Sequence, residues 1–174
     1  MTSKPGDGVN AATISTERLV LTPLRAADAD AMVEVLGDER LHDFIGGSPA
    51  GQADLRRRYA RLAAGSGDPD QIWLNWIVCR GADRQPIGTV QATVTRGGRA
   101  AEIAWVVGVP WQGKGFATEA AQALVNWLRE QGANVITANI HPDHHASAKV
   151  AARAGLTATT DEIDGEQVWR TAAD

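Results

Sequence analysis

The chain has 174 residues, of which 44% are hydrophobic and 22% are charged, and its formal net charge is −4. This composition is typical of an ordinary globular domain, and it excludes the basic surface that a nucleic-acid partner requires. No apolar stretch reaches the length of a membrane span or forms a secretion signal, so we expect a cytoplasmic protein. The single cysteine, Cys79, excludes an intrachain disulfide, and its apolar neighbours indicate a buried packing residue.

The first half of the chain contains the patterns of a strand and two helices. Small, polar residues predict a disordered arm over residues 1–13, followed by a single domain over residues 14–174. Alternating apolar residues predict a strand at residues 16–24, and the spacing of the apolar residues at 31–36 predicts a helix. Residues 53–64 form an amphipathic helical pattern.

The second half begins with three strand patterns, at residues 71–79, 85–95 and 101–109, which are separated by short turns and so predict an antiparallel meander. The patterns that follow are a helix, a strand, a helix and a final hairpin, at residues 118–131, 134–140, 145–154 and 158–170. The strand at 134–140 comes after a strand–helix crossover, so we expect it to be parallel to the third meander strand. The dipeptide Asp164-Gly165 predicts a type I′ turn in the final hairpin. The predicted fold class is therefore α+β.

A glycine-rich turn joins the strand at 101–109 to the long helix, in the stretch VVGVPWQGKGFATE of residues 106–119. Gly113 and Gly115 remove side chains where the helix begins, so backbone N–H groups lie uncovered beside the positive end of the helix dipole. Such an arrangement binds anions, although glycines at this place also serve to make a tight strand-to-helix connection.

The same turn satisfies the spacing G-x-x-x-x-G-K of a nucleotide-triphosphate P-loop, from Gly108 to Lys114. A P-loop requires Ser or Thr at the next position to bind magnesium, and here that position is Gly115. A P-loop fold also contains several strand–helix–strand units, whereas only one fits into this chain. The match is therefore interpreted as a coincidence.

A second pattern fits the turn better. Residues 112–117, QGKGFA, match Q/R-x-x-G-x-G/A after an apolar strand and before an alanine-rich helix. This is similar to the acyl-CoA-binding signature of the GNAT superfamily of N-acetyltransferases. The opening block at 16–36 and the late block at 141–156 resemble the branch that contains the ribosomal-protein N-terminal (Rim-type) acetyltransferases. Together the three blocks span most of the chain.

The resemblance implies a mostly antiparallel sheet with helices on both faces and a V-shaped splay between its two central parallel strands. It also implies that acetyl-CoA, or another acyl-CoA, is the co-substrate. Its pantetheine arm would bond along the backbone of Val107 and Val109, and its diphosphate would meet the amides at the helix start. The cofactor-binding residues expected on this basis are Val107, Val109, Gln112, Gly113, Lys114, Gly115, Phe116, Ala117, Thr118 and His144.

Two residues match catalytic positions of the family. Glu102 matches a glutamate that acts as general base in several members, although an acidic residue that opens a strand is often only solvated. Ser147 matches the serine of the Rim-type branch that hydrogen-bonds the leaving thiolate, and its alternative role is to cap the helix. Many members use a late tyrosine instead, but we expect the sole tyrosine, Tyr59, to lie far from this helix.

The late block departs from the family at His144, where an asparagine is common, and this puts one polar contact to the cofactor arm in doubt. The group of His141, Asp143, His144 and His145 could suggest a metal site. These residues span a strand end, a turn and a helix start without a second ligand cluster elsewhere, so no metal is expected.

The resemblance thus implies an N-acyltransferase that moves an acetyl or short acyl group to a primary amine by direct attack in a ternary complex. The acceptor would be a protein N-terminus or a small-molecule or antibiotic amine, and a homodimer is left open. The alternative is a non-catalytic acyl-CoA-binding or partner-binding module on the same fold. The aromatic residues expected to line an acceptor site are Phe44, Tyr59, Trp73, Trp76 and Trp105.

Overall fold

The computed structural model describes residues 9–95, 97 and 99–172, which form one eight-stranded sheet with helices on both faces. The strands are β1 (Ile14–Ser15), β2 (Leu19–Pro23), β3 (Gln71–Arg80), β4 (Pro86–Thr95), β5 (Ala100–Val107), β6 (Val135–Ile140), β7 (Leu156–Ile163) and β8 (Glu166–Thr171). The α-helices are α1 (Ala29–Val35), α2 (His42–Ile45), α3 (Gln52–Ala64), α4 (Phe116–Glu130) and α5 (His145–Arg153). Short 3-10 helices lie at Ala26–Asp28, Glu39–Leu41 and Val109–Trp111.

The strands are arranged in the order β1-β2-β3-β4-β5-β6-β8-β7. Every neighbouring pair is antiparallel except β5 and β6, which are parallel and joined through α4. The predicted α+β class, meander and parallel crossover strand are therefore confirmed. A sheet with one parallel pair does not have the repeated strand–helix–strand units of a P-loop fold. The P-loop spacing from Gly108 to Lys114 is therefore still interpreted as a coincidence.

The core has two parts because side chains alternate between the faces of each strand. On β3, Leu74, Trp76 and Val78 point to the face that α4 and α5 cover, whereas Ile77 and Cys79 point to the face that α1 and α3 cover. Burial raises the pKa of the Cys79 thiol, in keeping with a packing role. The long helix α4 buries the stripe formed by Phe116, Ala120, Ala121, Leu124, Val125 and Leu128.

Several predicted boundaries differ from the structure by two residues or more, among them those of the N-terminal arm, the strand at 101–109 and the long helix. Residues 1–8 of the predicted disordered arm lie outside the described residues, but Val9 and Ala11 pack against the core and the carbonyl of Ala12 accepts a bond of 2.8 Å from the Trp76 indole. The strand predicted to reach residue 109 ends at Val107. The helix predicted to begin at residue 118 begins at Phe116, because Gly115 adopts the left-handed conformation and caps it.

The final hairpin confirms the expected turn chemistry. Asp164 and Gly165 both have positive φ, 51° and 80°, as a type I′ turn requires. The hairpin places β8 between β6 and β7, so β8 pairs with β6 from Thr137 to Ile140. By contrast, Arg96 and Gly98 of the predicted turn between β4 and β5 lie outside the described residues.

The strands β5 and β6 pair only over three residues, Ala100–Glu102 against Val135–Thr137. Beyond this point β5 continues along β4 as far as Val107, while β6 continues along β8 as far as Ile140. The second half of β5 therefore has no ladder partner on its β6 side, and the sheet opens there. This is the predicted splay.

Gly88 on β4 lies beside this opening. A side chain at Gly88 would place its Cβ 2.1 Å from the carbonyl oxygen of Val106, so the two backbones approach more closely than any other residue type allows. The absence of a side chain at this one position lets β5 follow its path along the edge of the opening.

Candidate active site

The turn after β5 confirms the expected glycine geometry. Gly113 and Gly115 have φ values of 74° and 83°, a region that residues with a Cβ rarely adopt. Gly115 is the N-cap of α4 and has no side chain to accept from the first-turn amides, so those of Phe116, Ala117 and Thr118 have no intrahelical acceptor. Uncovered amides at the positive end of a helix are an arrangement that favours anion binding, and α4 is a helix of 15 residues.

The side chain of Gln112 contacts the end of β5. Its side-chain amide donates to the carbonyl oxygen of Val107 at 2.9 Å, so it ties the turn back to the end of β5. Val109 departs from expectation, because it lies in a 3-10 helix rather than in the strand, and its carbonyl accepts from the Gln112 N–H. Lys114 is exposed in the turn.

The free edge of β5 presents backbone groups to the opening. The N–H of Gly108 donates to the carbonyl of Ile87 on β4 at 2.7 Å. Because backbone groups alternate in direction along an antiparallel strand, those of Ile103, Trp105 and Val107 point away from β4, toward β6. At Val107, the position predicted for the cofactor arm, the N–H thus lies on an edge without a strand partner, whereas the carbonyl accepts from Gln112.

A cavity of about 360 Å³ occupies the opening. Residues from β5, including Ile103 and Val106, form one wall, and Ala138 and Asn139 of β6 form another. Leu55 and Tyr59 of α3 close it from one side, and His144 and Ser147 at the start of α5 also line it. The cavity therefore joins the edge of β5 to the late helix.

Ser147 and His144 contact each other in this cavity. The backbone N–H of Ser147 donates to Nδ1 of His144 at 3.1 Å, and the Ser147 Oγ lies 3.3 Å from Nε2 of the same ring. Because an amide N–H can only donate, Nδ1 carries no proton and the neutral ring has its proton on Nε2. That Nε2–H donates to Oγ, which leaves the hydroxyl proton of Ser147 available for another acceptor.

His144 thus caps α5 in place of the asparagine that the family pattern favours. Burial lowers the pKa of His144 below its usual range, and the nearby His141 and His145 lower it further. The neutral form that caps the helix is therefore the form that this environment favours.

The lowered pKa of His144 predicts a pH-dependent stability. A histidine with a folded pKa below its unfolded value near 6.5 binds fewer protons in the folded state. We therefore expect the free energy of unfolding to fall as the pH drops below about 6.5, and to level off below the folded pKa. The replacement His144→Asn keeps a capping side chain that does not titrate, so it should reduce this decline. Urea unfolding of both proteins between pH 5 and pH 7.5 measures the difference, and an equal decline in the two would contradict the prediction.

Comparison with known proteins decides the family. The model of the acetyltransferase (GNAT) domain matches residues 18–157, most of the chain. The chain belongs to the GNAT acetyltransferase family. An N-acetyltransferase of Bacillus subtilis, the uncharacterised YnaD, is 27% identical over 144 residues, which are 82% of this chain and 81% of YnaD.

Solved structures share the GNAT fold across almost the whole chain. RimL, a ribosomal L7/L12 alpha-N-protein acetyltransferase solved in complex with coenzyme A, is similar with a TM-score of 0.76 and 16% identity, over 94% of this chain and 99% of RimL. The acetyltransferase AAC(6′)-Ib, solved with paromomycin and acetyl-CoA, has a TM-score of 0.73 and 18% identity, over 90% of this chain and 94% of its own. At these identities the likeness concerns the fold.

Glu102, the predicted base of this GNAT chain, is exposed on β5 opposite Thr93 and Thr137. Strand alternation places it on the same face as Ala104 and Val106, which line the cavity, but Glu102 itself lies beyond the lining. The structure therefore brings Ser147 and His144 together at the cavity and leaves Glu102 outside its lining, where β5 and β6 still pair.

Tyr59 corrects a sequence-based expectation. We expect it from sequence to lie far from the late helix, yet it lines the same cavity as Ser147, because α3, which packs on β3, also borders this cavity. Burial raises the pKa of Tyr59 to about 12, so its hydroxyl is protonated at neutral pH. Among the described residues, three buried polar side-chain atoms have no hydrogen-bond partner, namely Tyr59 Oη, His42 Nε2 and Asn139 Oδ1, and all three residues line this cavity.

The other expected walls divide into two groups. Phe44 and Trp105 line the cavity, and the ring of Phe44 lies 4.3 Å from that of His144. Trp73 does not line it, and Trp76 is fully buried in the core on the opposite face, where it contacts Trp127. Within the described chain, no group of three or more His, Cys, Asp or Glu residues is arranged to hold a metal ion, and no helix is long and apolar enough to cross a membrane.

Proposed function

We propose that this chain is an acetyl-CoA-dependent N-acyltransferase that acts on a primary amine by direct attack in a ternary complex. The observation that carries the proposal is the parting of β5 and β6 beside the uncovered amides of α4, with Ser147 in the same cavity. Membership of the GNAT family supports this interpretation. The bound acyl-CoA supplies an activated thioester, which the chain itself does not contain.

The roles of the chain's own groups follow from their positions. The N–H groups of Gly113 to Thr118 hold the diphosphate, and the free edge of β5 holds the pantetheine arm. The N–H of Val107 points into the opening, where it stabilises the negative charge that develops on the carbonyl oxygen. The hydroxyl of Ser147, whose proton is not used by His144, donates a hydrogen bond to the departing thiolate. It does not transfer its proton, because a serine hydroxyl is too weak an acid.

The acceptor amine binds in the outer part of the cavity. Apolar residues such as Leu55 and Phe44 line the cavity together with Tyr59, His42 and Asn139, each of which has one buried polar atom without a hydrogen-bond partner. RimL is named for a protein substrate and AAC(6′)-Ib is solved with an antibiotic. The acceptor of this chain is accordingly proposed to be a protein N-terminus or a small-molecule amine.

Isothermal titration with acetyl-CoA, followed by a thiol-release assay over a panel of amines, tests the proposal. The panel should contain peptides with free N-termini, aminoglycosides and simple monoamines. We expect binding of acetyl-CoA and release of free thiol that depends on one class of amine. Failure to bind would refute the proposed function. Tight binding without thiol release for any amine would favour the non-catalytic alternative.

Replacing Glu102 with glutamine tests the general base. If Glu102 removes the proton of the amine, Glu102→Gln should lower kcat by about 100-fold, which is typical for the loss of a general base, and should leave the affinity for acetyl-CoA unchanged. Steady-state kinetics and titration calorimetry separate the two quantities.

A matched control is Glu130→Gln, which removes an exposed carboxylate at the far end of α4. Equal kcat values for the wild type and Glu102→Gln would remove Glu102 from the mechanism. The next candidate would then be His42, because its Nδ1 lies 3.2 Å from the carbonyl of Gly46 and donates to it, so Nε2 carries the lone pair of the neutral ring.

A further inference from the structure

Arg18, at the start of β2, reaches the cofactor turn from a distant part of the sequence. Its Nη1 donates to the carbonyl oxygen of Lys114 at 3.0 Å, and its Nε donates to Oε1 of Glu119 at 2.8 Å. Its guanidinium also lies over the ring of Phe116, 4.5 Å from the ring centre. Arg18 therefore contacts the turn, the first residue of α4 and the first turn of that helix at once.

Glu119 holds Arg18 in this position. Its Oε2 accepts from the backbone N–H of Arg18 at 3.0 Å and from the Thr16 hydroxyl at 2.5 Å. Burial opposes the charge of Glu119, but the hydrogen bonds from Thr16 and Arg18 outweigh this effect, and the pKa of Glu119 is lowered. The carboxylate therefore stays ionised at neutral pH and accepts three bonds from one segment.

The contact with the Lys114 carbonyl fixes the direction of the next amide. In a trans peptide the C=O and the N–H point in opposite directions. Because the Lys114 carbonyl points at Arg18, the N–H of Gly115 points away from Arg18, to the open side of the turn. This N–H is one of those assigned to the diphosphate above.

The flanking glycines make this orientation easy to lose. Gly113 and Gly115 have no Cβ, so the backbone on either side of Lys114 has access to more conformations than an ordinary residue allows. If the peptide between Lys114 and Gly115 rotated by half a turn, a carbonyl oxygen would replace an N–H on the side where an anion binds. An interaction that holds the Lys114 carbonyl therefore selects the binding conformation.

We propose that Arg18, held by Glu119, is a positioning residue that keeps the Lys114–Gly115 peptide in the orientation that binds a diphosphate. This inference rests on the proposed function, since it concerns the same coenzyme site. Arg18 and Glu119 thus affect coenzyme binding by holding the turn, and neither side chain contacts the coenzyme itself.

The replacement Glu119→Ala distinguishes positioning from simple electrostatics, because the two predict effects of opposite sign. Removal of a negative charge near an anion site should strengthen the binding of coenzyme A if charge alone matters. If Glu119 holds Arg18 and thereby the peptide, the same replacement should weaken binding by about tenfold, the scale of one lost charge-assisted hydrogen bond. Titration calorimetry with coenzyme A measures the sign directly.

Three comparisons complete the experiment. Arg18→Gln should weaken binding of coenzyme A in the same way, whereas Arg80→Gln, which breaks an arginine–carboxylate ion pair with Asp83, should not. Both Arg18→Gln and Glu119→Ala should leave the KM for S-acetylpantetheine unchanged, because this substrate lacks the diphosphate. Thermal unfolding checks that each variant folds, and Glu119→Gln provides a milder change should Glu119→Ala prove unstable.

The positioning role would be overturned if Glu119→Ala and Glu119→Gln bound coenzyme A as tightly as the wild type or more tightly. The proposed function would then remain intact. Absence of coenzyme A binding by the wild-type chain would overturn the proposed function, and this inference with it. A rise in the KM for S-acetylpantetheine as large as the loss of coenzyme A affinity would also overturn the positioning role, since the defect would not depend on the diphosphate.

Discussion

Gly115→Val should abolish coenzyme A binding at concentrations that saturate the wild type, with an affinity loss of about 100-fold or more. The physical reason is the φ of 83° at Gly115, which a β-branched residue adopts only with strain. The chain would relieve that strain by moving to negative φ, and the amides of the turn and of the first turn of α4 would then point elsewhere. A Cβ at this position would also lie 3.3 Å from Arg18 Nη2. Titration calorimetry with coenzyme A measures the loss.

Gly132→Val is the matched control for this prediction. Gly132 follows the other end of α4, has a φ of 101°, and a Cβ there would meet no atom within 4 Å. Both replacements impose a similar backbone strain, of about 1–2 kcal/mol for a left-handed residue. We expect comparable losses of stability in the two variants, and weak binding of coenzyme A in Gly115→Val alone. Equal affinity for coenzyme A in the two variants would contradict the assignment of the turn.

Gly88→Ala should lower the free energy of unfolding by about 3 kcal/mol, the upper range for an overpacked buried position. The added Cβ would lie 2.1 Å from the Val106 carbonyl and 3.0 Å from the Val107 Cα, and both are backbone atoms of a paired strand. Relief of the clash requires β5 to move away from β4, into the opening. Urea unfolding measures the stability, and acetyl-CoA titration should show weaker binding in the folded fraction.

Gly81→Ala provides the comparison in the turn between β3 and β4. A Cβ at Gly81 would lie 3.4 Å from the Arg18 carbonyl, an ordinary contact distance, and the N–H that donates to this carbonyl is retained. We expect a change of less than about 1 kcal/mol. A small effect in Gly88→Ala, similar to that in Gly81→Ala, would show that β4 and β5 adjust freely and that Gly88 does not shape the opening.

Local patterns predicted most of the fold because the information lies within a few residues. The type I′ turn at Asp164-Gly165, the alternation along β3 and the apolar stripe of α4 depend on near neighbours and on burial alone. The bare helix start also followed from sequence, since glycines at 113 and 115 have no side chain under any tertiary arrangement. The predicted start of α4 was wrong because the helix begins at its capping residue, Gly115. The left-handed backbone conformation of this cap cannot be deduced from the spacing of apolar residues.

The parts that sequence did not predict depend on contacts between distant segments. The Arg18–Glu119 pair joins residues 101 apart, and no periodicity indicates that the two meet. Tyr59 reaches the cavity of Ser147 because α3, which packs on β3, also borders this cavity. Gln112 matched a binding motif, yet its side chain contacts the protein's own Val107 carbonyl. Long-range contacts of this kind leave no local pattern in the sequence, and the opposite charges of Arg18 and Glu119 are the only sequence feature that links the two residues.

The insertion of β8 between β6 and β7 has a consequence for folding during synthesis. The outer half of β6 pairs with no strand other than β8 in the described sheet, and Thr171 accepts a buried hydrogen bond of 3.0 Å from the Ile136 amide. A nascent chain that has emerged only as far as β7 already contains the glycine turn, Ser147 and both splayed strands, but the outer half of β6 then has no strand beside it. The cavity wall at Ala138 and Asn139 therefore gains its supporting strand only after β8 has left the ribosome.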